Sequence, residues 1–416
     1  MFRILDQQST AKPTLGECFL NGGFPVEALP YLEAEVQERP KNWGAWNNLG
    51  CCHKFLGHYE MAIECLKRSM MLSPNAVQPC HNLGMAYEES GHLKEAIQCY
   101  VHAVSFHRNE QSEYGLAECL FRDGKFDMGV EMWERSRLEK NSCAFIPNIK
   151  VWRGEDLEGK KILVTREGGH GDVFWLLRYV KPLKDMGAHV TFHAYESQRS
   201  LLEGHPWIDR WADQSTDLDE KDFDYQVPLW SIMWEMRKLE PQNGWVPMGM
   251  DEPYITVPAP EKSPHGFTVG ICWKAGECLS VWRKLRSIQD EWLAAFADIP
   301  VDWVSLIPGE KPDWCNSGLP EKCDWKTTAE VVAGLDLVIS ADTSMCHLAG
   351  AMGKPAWVFV PLASDWKWFH DKETSSWYPG MRIFRNTDAV SFKPVVDEMV
   401  SELWRVAEAK AGVPCR

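Results

Sequence analysis

The sequence predicts a chain in two parts, a solenoid of helical repeats followed by two α/β units of the Rossmann type. The first supporting observation is self-similarity at a period of 34 residues over 12–142. The second is an alternation of apolar strands and amphipathic helices beyond that point. The third is a Pro- and Gly-rich segment, 241–266, between two such series. We therefore expect domains at 1–142, 143–250 and 251–416.

Length and charge limit the classes of protein that fit. A chain of 416 residues is too long for one hydrophobic core, and 45% hydrophobic residues are enough to bury several. A net charge of −15 without a basic run argues against a protein that holds nucleic acid mainly through its phosphates. The N-terminus lacks the pattern of a signal peptide, and no apolar run is long enough to span a bilayer. We expect a cytoplasmic protein without a membrane span.

Neither the cysteines nor the acidic residues indicate a metal site. The 14 cysteines include no pair of CxxC motifs, so reduced and mostly buried thiols are expected. The acidic run 216–224 contains the DxD-like triplet DLD, which we interpret as part of a solvated turn. We predict no metal and no cofactor.

The repeat is visible as columns of like residues when the chain is aligned with itself at a shift of 34 residues. Small residues in some columns would let two antiparallel helices approach closely, and larger residues in the others would fill the space between them. The columns are Leu15, Leu49, Leu83 and Ala117; Gly16, Gly50, Gly84 and Glu118; Phe19, His53, Tyr87 and Phe121; Ala28, Ala62, Ala96 and Val130; and Leu32, Leu66, Tyr100 and Glu134. One helical hairpin per repeat is therefore predicted.

Turn residues separate the predicted helices. Gly23, Gly57 and Gly91 share a column where a helix ends, and glycine tolerates the left-handed backbone that such an end requires. Pro40 and Pro74 close two of the repeats.

The pattern resembles the tetratricopeptide repeat, including Trp46, Leu49 and Gly50 in a first helix. The fourth repeat departs from it at the glycine and proline columns, which a terminal capping role would explain. The resemblance implies a concave surface for a peptide, a protein partner or a neighbouring domain. Pure scaffolding and self-association through the repeats are the alternatives.

The second part of the chain reads as two α/β series. The first contains the strand 161–165, an amphipathic helix over 172–187, the strand 188–195 and a short helix over 198–206. The second begins with the strand 267–273. Its remaining strands are 301–307, 335–340 and 356–361. Alternation of this kind predicts parallel sheets flanked by helices, with a cleft at the carboxyl ends of the strands.

A glycine-rich loop follows the first strand of the first series. It consists of Gly168, Gly169, His170 and Gly171, and Asp172 comes directly after it. The loop is not a dinucleotide fingerprint, because position 174 is Phe, and it is not a Walker A loop, because no GK[ST] follows. Glycines there permit close approach of a ligand near a helix N-terminus. Asp172 is either a group that faces the cleft or only a cap of the helix.

The segment 336–361 carries the more specific candidates. A buried strand delivers Asp342 and Thr343 to the edge of the sheet, where Thr343 can cap the next helix. Ser344 and the following N–H groups suit phosphate oxygens. His347 lies one helical turn further on, where it either contacts a bound phosphate or pairs within the protein.

Basic and aromatic clusters complete the predicted cleft. Lys274, Arg283, Lys284 and Arg286 follow a strand of the second series and suit a diphosphate, unless they are ordinary surface charges. Aromatic side chains are dense in 361–386, and Trp366 among them is expected either to stack on a nucleotide or to pack between domains.

The second part resembles glycosyltransferase family 9, the heptosyltransferase-like enzymes of the GT-B fold, in the branch with N-terminal tetratricopeptide repeats. The motifs that carry the resemblance are GGHGD, ADTSMCHLAGAMGKP and SDWKWFHD with SSWYPGMRIFR. The resemblance implies an inverting, metal-independent transfer of a sugar from a nucleotide-diphosphate sugar. It implies that Asp172 is the general base and that the donor is held by Asp342, Thr343, Ser344 and His347.

Three acceptor classes and one other role stay open at this point. The leading acceptor is a saccharide or glycoconjugate hydroxyl. A protein hydroxyl or a hydroxylated DNA base is the alternative, since only a flipped base need enter the cleft. The remaining hypothesis is a non-catalytic adaptor whose repeats bind partners.

Overall fold

The structure is a computed structural model that describes residues 13–106, 108–139, 146–239, 252–260, 266–276, 286–388 and 391–411. The chain divides into two compact units. The repeat unit contains the described residues up to Ser136 together with Leu362–His370. The α/β unit contains Arg137–Pro361 and the described residues from Asp371 onward. None of the helices in the described ranges is long and apolar enough to cross a membrane.

The repeat unit is built from helical hairpins. Within each hairpin a shorter first helix is followed by a second helix across a glycine turn. The helices are α1 (Leu15–Asn21), α2 (Pro25–Glu38), α3 (Trp43–Phe55), α4 (Tyr59–Leu72), α5 (Val77–Glu89), α6 (Leu93–Phe106), α7 (Glu110–Arg122) and α8 (Phe126–Glu139). The last turn of α8, from Arg137 onward, belongs to the α/β unit. The predicted solenoid of hairpins is therefore present in the structure.

A glycine in the first helix of a hairpin allows the second helix to approach closely. A β-carbon added to Gly16 would lie 2.9 Å from Leu32, and one added to Gly84 would lie 2.8 Å from Tyr100. Contacts that short force a neighbour to move, so the hairpins pack closely because these positions lack a side chain.

The fourth repeat differs by one residue from the predicted register. Its turn glycine is Gly124, with a φ of +74°, which lies 33 residues after Gly91 rather than 34. The reason is the connection between the helices that end at Phe106 and begin at Glu110, which has 3 residues instead of the 4 between Leu72 and Val77. The expectation that this repeat lacks the turn glycine was wrong.

The one-residue shift corrects the fourth member of each column. In the corrected alignment, the residue before each predicted one takes its place in the column, and all five of these residues are buried. They are Leu116, Ala117, Leu120, Gly129 and Trp133, in place of Ala117, Glu118, Phe121, Val130 and Glu134. Glu118, Val130 and Glu134 are only half-buried, which fits positions beside the packed face.

The segment Leu362–His370 is part of the repeat unit although it follows strands of the α/β unit in sequence. Its Trp366 is 2% exposed. The ring centroid of Trp366 lies 5.1 Å from that of Phe121, 5.8 Å from Phe126 and 6.4 Å from Trp133, all in edge-on arrangements. Aromatic packing of this kind stabilises the last hairpin.

The first sheet of the α/β unit is parallel, with the order β3-β2-β1-β4. Its strands are β1 (Lys161–Thr165), β2 (His189–His193), β3 (Arg210–Ala212) and β4 (Tyr225–Pro228). The helices between and after them are α9 (His170–Leu176), α10 (Val180–Asp185), α11 (Arg199–Leu202) and α12 (Leu229–Leu239). The single helix predicted over 172–187 is divided by a 3₁₀ turn at Leu177–Tyr179.

The second sheet is also parallel, with the order β10-β9-β8-β5-β6-β7. Its strands are β5 (Thr268–Cys272), β6 (Asp302–Ser305), β7 (Ser317–Gly318), β8 (Leu337–Ala341), β9 (Ala356–Val360) and β10 (Met381–Arg385). The helices are α13 (Asp290–Leu293), α14 (Trp325–Ala333), α15 (Ser344–Ala351) and α16 (Lys393–Ala411). Parallel sheets with flanking helices, as predicted, thus follow the repeats.

The order of the strands fixes where ligands would enter. Strands β5, β8 and β9 are buried along their whole length, because helices cover both faces of a parallel sheet. Strand order reverses between β8 and β5 in the second sheet and between β1 and β4 in the first. Crevices at the carboxyl ends of strands at such reversals are where open parallel sheets bind ligands. Gly168 to Gly171 follow β1, Lys274 follows β5, and Asp342 and Thr343 follow β8.

Candidate functional site

The loop after β1 is held in a conformation that needs glycine. Gly168 has a φ of +66°, and a side chain there would overlap the carboxylate of Asp172. The preceding Glu167 is buried and forms an ion pair with Arg137, the first residue of the α/β unit. The glycine-rich loop is therefore a tight turn that begins at a fixed, buried residue.

Asp172 is half-buried in the first turn of α9. Its Oδ2 accepts a hydrogen bond of 2.7 Å from the backbone N–H of Gly169. This is the cap of the helix that the sequence offered as one alternative. The cap also fixes the orientation of the carboxylate beside the loop, and the role of Asp172 as a base stays a prediction.

His170 is braced by the segment after β2. The imidazole stacks on the ring of Tyr195 with centroids 4.2 Å apart, and its Nε2 lies 2.8 Å from Oγ of Ser197. The hydroxyl of Tyr195 donates to the carbonyl of Gly168 at 2.5 Å. Burial, and secondarily the charge of Arg166, lowers the pKa of His170. His170 is therefore kept neutral more readily than a free imidazole, and the loop is rigidly supported.

Gly171 is the point where α9 meets α15. A β-carbon on Gly171 would lie 2.9 Å from Cδ2 of His347 and 3.1 Å from Cα of Ser344. The helix that carries Asp172 and the helix that carries Ser344 and His347 thus pack directly against each other. The structure brings these two sequence motifs together in the α/β unit.

Asp342 and His347 form a buried polar pair at the start of α15. The His347 Nε2 lies 4.0 Å from Oδ1 of Asp342, and its Nδ1 lies 3.1 Å from the hydroxyl of Tyr378. Arg286 reaches the other carboxylate oxygen, with Nη2 3.3 Å from Oδ2 of Asp342. Buried polar groups need such partners. His347 is therefore paired within the protein, which is one of the two alternatives that the sequence offered.

Thr343 and Ser344 lie at the N-terminus of α15. The Oγ1 of Thr343 accepts a hydrogen bond of 3.3 Å from the N–H of Met345, so Thr343 caps the helix as predicted. Ser344 is the first helical residue and is half-buried. The N–H groups and the dipole of this helix end favour an anion.

The predicted basic cluster is described only in part. Lys274 forms a surface ion pair with Glu310, and the two side chains are 39% and 47% exposed. An exposed pair of this kind is worth about 0–1 kcal/mol, so it would yield readily to a stronger anion. Arg283 and Lys284 lie outside the described residues.

The described residues include one group with metal-ligand chemistry. Asp342, Cys346 and His347 are buried, and their ligand atoms lie within 4.8 Å of one another. The Sγ of Cys346, however, donates a hydrogen bond of 3.0 Å to the carbonyl of Thr343, which is the behaviour of a protonated thiol. Arg286 already supplies a positive charge to Asp342. These contacts oppose a divalent cation at this position.

The sequence reasoning missed Arg178, which is buried in the α/β unit. Its three nitrogens donate to the carbonyls of Trp175 at 2.9 Å and Trp377 at 2.7 Å and to the hydroxyl of Tyr254 at 2.9 Å. Its guanidinium also lies 4.7 Å from the ring centroid of Tyr378. A single arginine inside the apolar run VFWLLRYV was the signal that could have identified it.

The predicted linker 241–266 also contributes to this cluster, although most of it lies outside the described residues. Tyr254 and Ile255 are buried, and both backbone N–H groups donate to the carbonyl of Ala351, at 2.9 and 3.1 Å. The described part of the segment is thus packed on the end of α15.

The aromatic segment 361–386 separates into two groups. Trp377 and Tyr378 pack in the α/β unit, where the Trp377 ring lies 4.8 Å from that of Trp175. Trp366 is buried among rings of the repeat unit and has no free face for a nucleotide. The stacking role expected for Trp366 is therefore corrected to packing.

Comparison with known proteins identifies the repeats. A family model described as a tetratricopeptide repeat matches residues 44–76 and 77–109. Apart from Trp43, these ranges contain the second and third hairpins, α3 to α6. The chain therefore contains tetratricopeptide repeats, as the sequence pattern predicted.

One relative matches along most of the chain. It is Protein FlbA of Caulobacter vibrioides, 23% identical over 429 residues, with 91% of this chain and 70% of the relative covered.

Solved structures match over about a third of the chain. A crystal structure of MamA is 23% identical and covers 30% of this chain and 74% of that chain, with a TM-score of 0.29. MamA from Desulfovibrio magneticus is 19% identical and covers 31% and 73%, with a TM-score of 0.29. The Thermus thermophilus protein TTC0263, a tetratricopeptide-repeat protein, is 18% identical and covers 30% and 70%, with a TM-score of 0.28.

Proposed function

We propose that the α/β unit is an inverting, metal-independent glycosyltransferase of the GT-B type. It would move a sugar from a nucleotide-diphosphate sugar to a hydroxyl, most simply that of a saccharide or glycoconjugate. The observation that carries the proposal is the contact of Gly171 with His347 and Ser344. Through this contact α9, which carries the candidate base Asp172, packs against the N-terminus of α15, which is the candidate anion site.

Asp172 would act on the acceptor. A sugar hydroxyl is a weak nucleophile at neutral pH, so a carboxylate must take its proton as the oxygen attacks the anomeric carbon. The bond from that carbon to the phosphate oxygen breaks, and the nucleotide diphosphate leaves with the electron pair. The 2.7 Å hydrogen bond from Gly169 would hold the Asp172 carboxylate in a fixed orientation for this step.

The residues after β5 and β8 would hold the leaving group. The N-terminal N–H groups of α15 and the hydroxyls of Thr343 and Ser344 supply hydrogen bonds to phosphate oxygens. Lys274 can exchange its exposed partner Glu310 for a phosphate at little cost. Positive groups at the developing diphosphate charge would take the place of a metal ion.

The direct test is a thermal-shift panel of nucleoside diphosphates and nucleotide sugars on the full chain, followed by turnover with the donor that binds. A bound donor raises the melting temperature. Asp172→Asn should keep that shift and lose about 10²- to 10⁴-fold in turnover. His347→Ala should reduce the shift. If no nucleotide sugar binds or is consumed, the transferase proposal fails and the adaptor hypothesis gains.

A protein hydroxyl is the second candidate acceptor, and the tetratricopeptide repeats favour it. Repeats of this class present extended surfaces to protein partners. A radiolabelled donor distinguishes the acceptors, since label on a protein is recovered in acid precipitate and label on a saccharide stays soluble.

A further inference from the structure

We propose that Tyr195 is a positioning residue that orients the carboxylate of Asp172 through a single peptide group. The hydroxyl of Tyr195 donates to the carbonyl of Gly168 at 2.5 Å, and the N–H of the same peptide, on Gly169, donates to Oδ2 of Asp172 at 2.7 Å. In a trans peptide the C=O and the N–H point in opposite directions, so the two hydrogen bonds hold the group from both sides. The proposal rests on the role proposed for Asp172, and part of its test needs no donor.

The peptide between Gly168 and Gly169 has little conformational restraint of its own. Both flanking residues are glycines, which reach regions of φ and ψ that are closed to other residues. Gly168 has a φ of +66°, and Gly169 is extended, with a φ of −96° and a ψ of −174°. A rotation of this one peptide plane would turn the N–H away from Asp172 with little movement of the chain on either side. The hydroxyl of Tyr195 opposes that rotation because it holds the carbonyl.

The ring of Tyr195 is itself held by the segment that it supports. The guanidinium Cζ of Arg166 lies 3.9 Å from the ring centroid, and the imidazole of His170 stacks on the ring at 4.2 Å. Two groups this close cannot share one face, so they cover opposite faces of the ring. His170 is fixed in turn, with Nε2 2.8 Å from Oγ of Ser197 and with its carbonyl accepting from Nε2 of Gln198 at 3.2 Å. The hydroxyl is therefore aimed at the loop by a ring with a fixed position.

The hydrogen bond from Tyr195 also favours the ionised form of Asp172. A donor on a carbonyl polarises the peptide, and consecutive hydrogen bonds strengthen one another by roughly 10–30%. A hydrogen bond donated to a carboxylate favours the charged form of that group. Tyr195 thereby helps to keep Asp172 in the state that can take a proton from a hydroxyl.

Other ionisable groups surround α9, and the substitution Tyr195→Phe leaves all of them in place. Those on the same segment are Arg166, Glu167 and His170. Those on the elements that pack against α9 are Asp342 and His347 at the start of α15, Glu235 on α12 and Asp324 at the start of α14. A change in the titration of Asp172 in this variant would therefore be due to the lost hydroxyl.

The test compares the wild type with Tyr195→Phe and with the control Tyr225→Phe. Phenylalanine keeps both ring contacts of Tyr195 and removes only the hydroxyl, so the variant should melt close to the wild-type temperature. Tyr225 is also half-buried, but it pairs with Ile162 near the start of β1, at the end of the sheet away from the loop.

The measurement that needs no donor is an NMR titration of the Asp172 carboxyl carbon in a chain with isotope-labelled aspartate. The Asp172 resonance is identified by its absence from Asp172→Asn. In Tyr195→Phe its midpoint should lie up to about 0.5 pH unit higher than in the wild type, because the ionised form has lost part of its support. In Tyr225→Phe the midpoint should be unchanged.

The kinetic measurement uses a donor that the wild type turns over. Because a base works only when it is deprotonated, the acidic limb of the kcat/KM profile should move to higher pH in Tyr195→Phe. Loss of a fixed orientation should lower kcat by about 10-fold. The melting-temperature shift caused by the donor should stay the same, because the residues proposed to hold the donor are unchanged.

The proposal is overturned if Asp172 titrates at the same pH in Tyr195→Phe and in the wild type, or if Tyr225→Phe moves the midpoint equally. An unchanged kcat in folded Tyr195→Phe also overturns the positioning role. If the wild type turns over no donor, the transferase function fails, and the carboxyl titration alone decides whether Tyr195 acts on Asp172.

Discussion

A β-carbon on Gly171 would lie 2.9 Å from Cδ2 of His347, so the packing of α9 on α15 depends on the absence of a side chain at this position. The contact joins the glycine-rich loop after β1 to the helix after β8. Two motifs separated by more than 150 residues in sequence thereby share one face of the α/β unit.

Gly171→Ala should therefore damage both stability and the site. The added methyl group meets the His347 ring and the Ser344 backbone, and overpacking of this kind costs about 1–3 kcal/mol. Urea unfolding measures that loss, and the donor-induced thermal shift should shrink with it. Gly169→Ala in the same loop is the control, because its nearest atom, Oδ2 of Asp172, is 3.9 Å away. Equal effects of the two substitutions would contradict the packing argument.

Much of the repeat unit was predictable because its contacts are local. The helices of a hairpin are adjacent in sequence, so columns such as Gly16, Gly50 and Gly84 report directly on packing. The fourth repeat was misaligned because the loss of one residue before Glu110 leaves the local pattern nearly intact. Burial of the aligned side chains was needed to correct it.

The α/β site was predictable only where a motif stays on one segment. The loop around Asp172 and the Asp342 to His347 segment were found because each follows a strand. The partners of Arg178, namely Trp377 and Tyr254, come from distant segments, and nothing in the local pattern indicates their meeting. The role of Trp366 was predicted wrongly for the same reason, since a high density of aromatic residues in the sequence does not specify which surface their rings pack against.

Lys54 and Glu89 form an ion pair inside the repeat unit, with Nζ 2.9 Å from Oε1 and side chains 4% and 7% exposed. Lys54→Met should lower the free energy of unfolding by up to about 3–5 kcal/mol, because it removes the cation of a buried ion pair. The control is Lys393→Met, which breaks a pair with Asp397 whose side chains are 61% and 59% exposed. That change should cost less than about 1 kcal/mol. Chemical denaturation measures the loss of stability in both variants. Similar losses would show that burial does not determine how much an ion pair contributes to stability.

His205 should make stability depend on pH. Its Nε2 lies 2.7 Å from the carbonyl of Tyr254, and its Nδ1 accepts from the N–H of Trp207 at 3.3 Å, as a neutral imidazole can. Burial lowers the pKa of His205, although the bond to Tyr254 opposes this. The unfolded state therefore binds more protons as pH falls below about 6.5, and stability falls with it by up to about 1.4 kcal/mol per pH unit.

The variant His205→Gln isolates this contribution. Urea midpoints measured between pH 5 and 8 should decline less steeply below pH 6.5 than those of the wild type. Burial also lowers the pKa of His170 and His193, so part of the slope should persist. An unchanged slope would mean that His205 is not held neutral by the fold.

Trp366 should act on the stability of the repeats and not on nucleotide binding. Trp366→Ala removes a ring that is 2% exposed and packed on Phe121, Phe126 and Trp133, which should cost about 3–5 kcal/mol. Trp366→Phe keeps an aromatic ring in the same space and should cost less. Because the buried ring has no face to offer a base, the melting-temperature shift caused by a nucleotide sugar should be the same in Trp366→Phe as in the wild type. A Phe variant that folds normally but loses the shift would restore the stacking role that the sequence suggested.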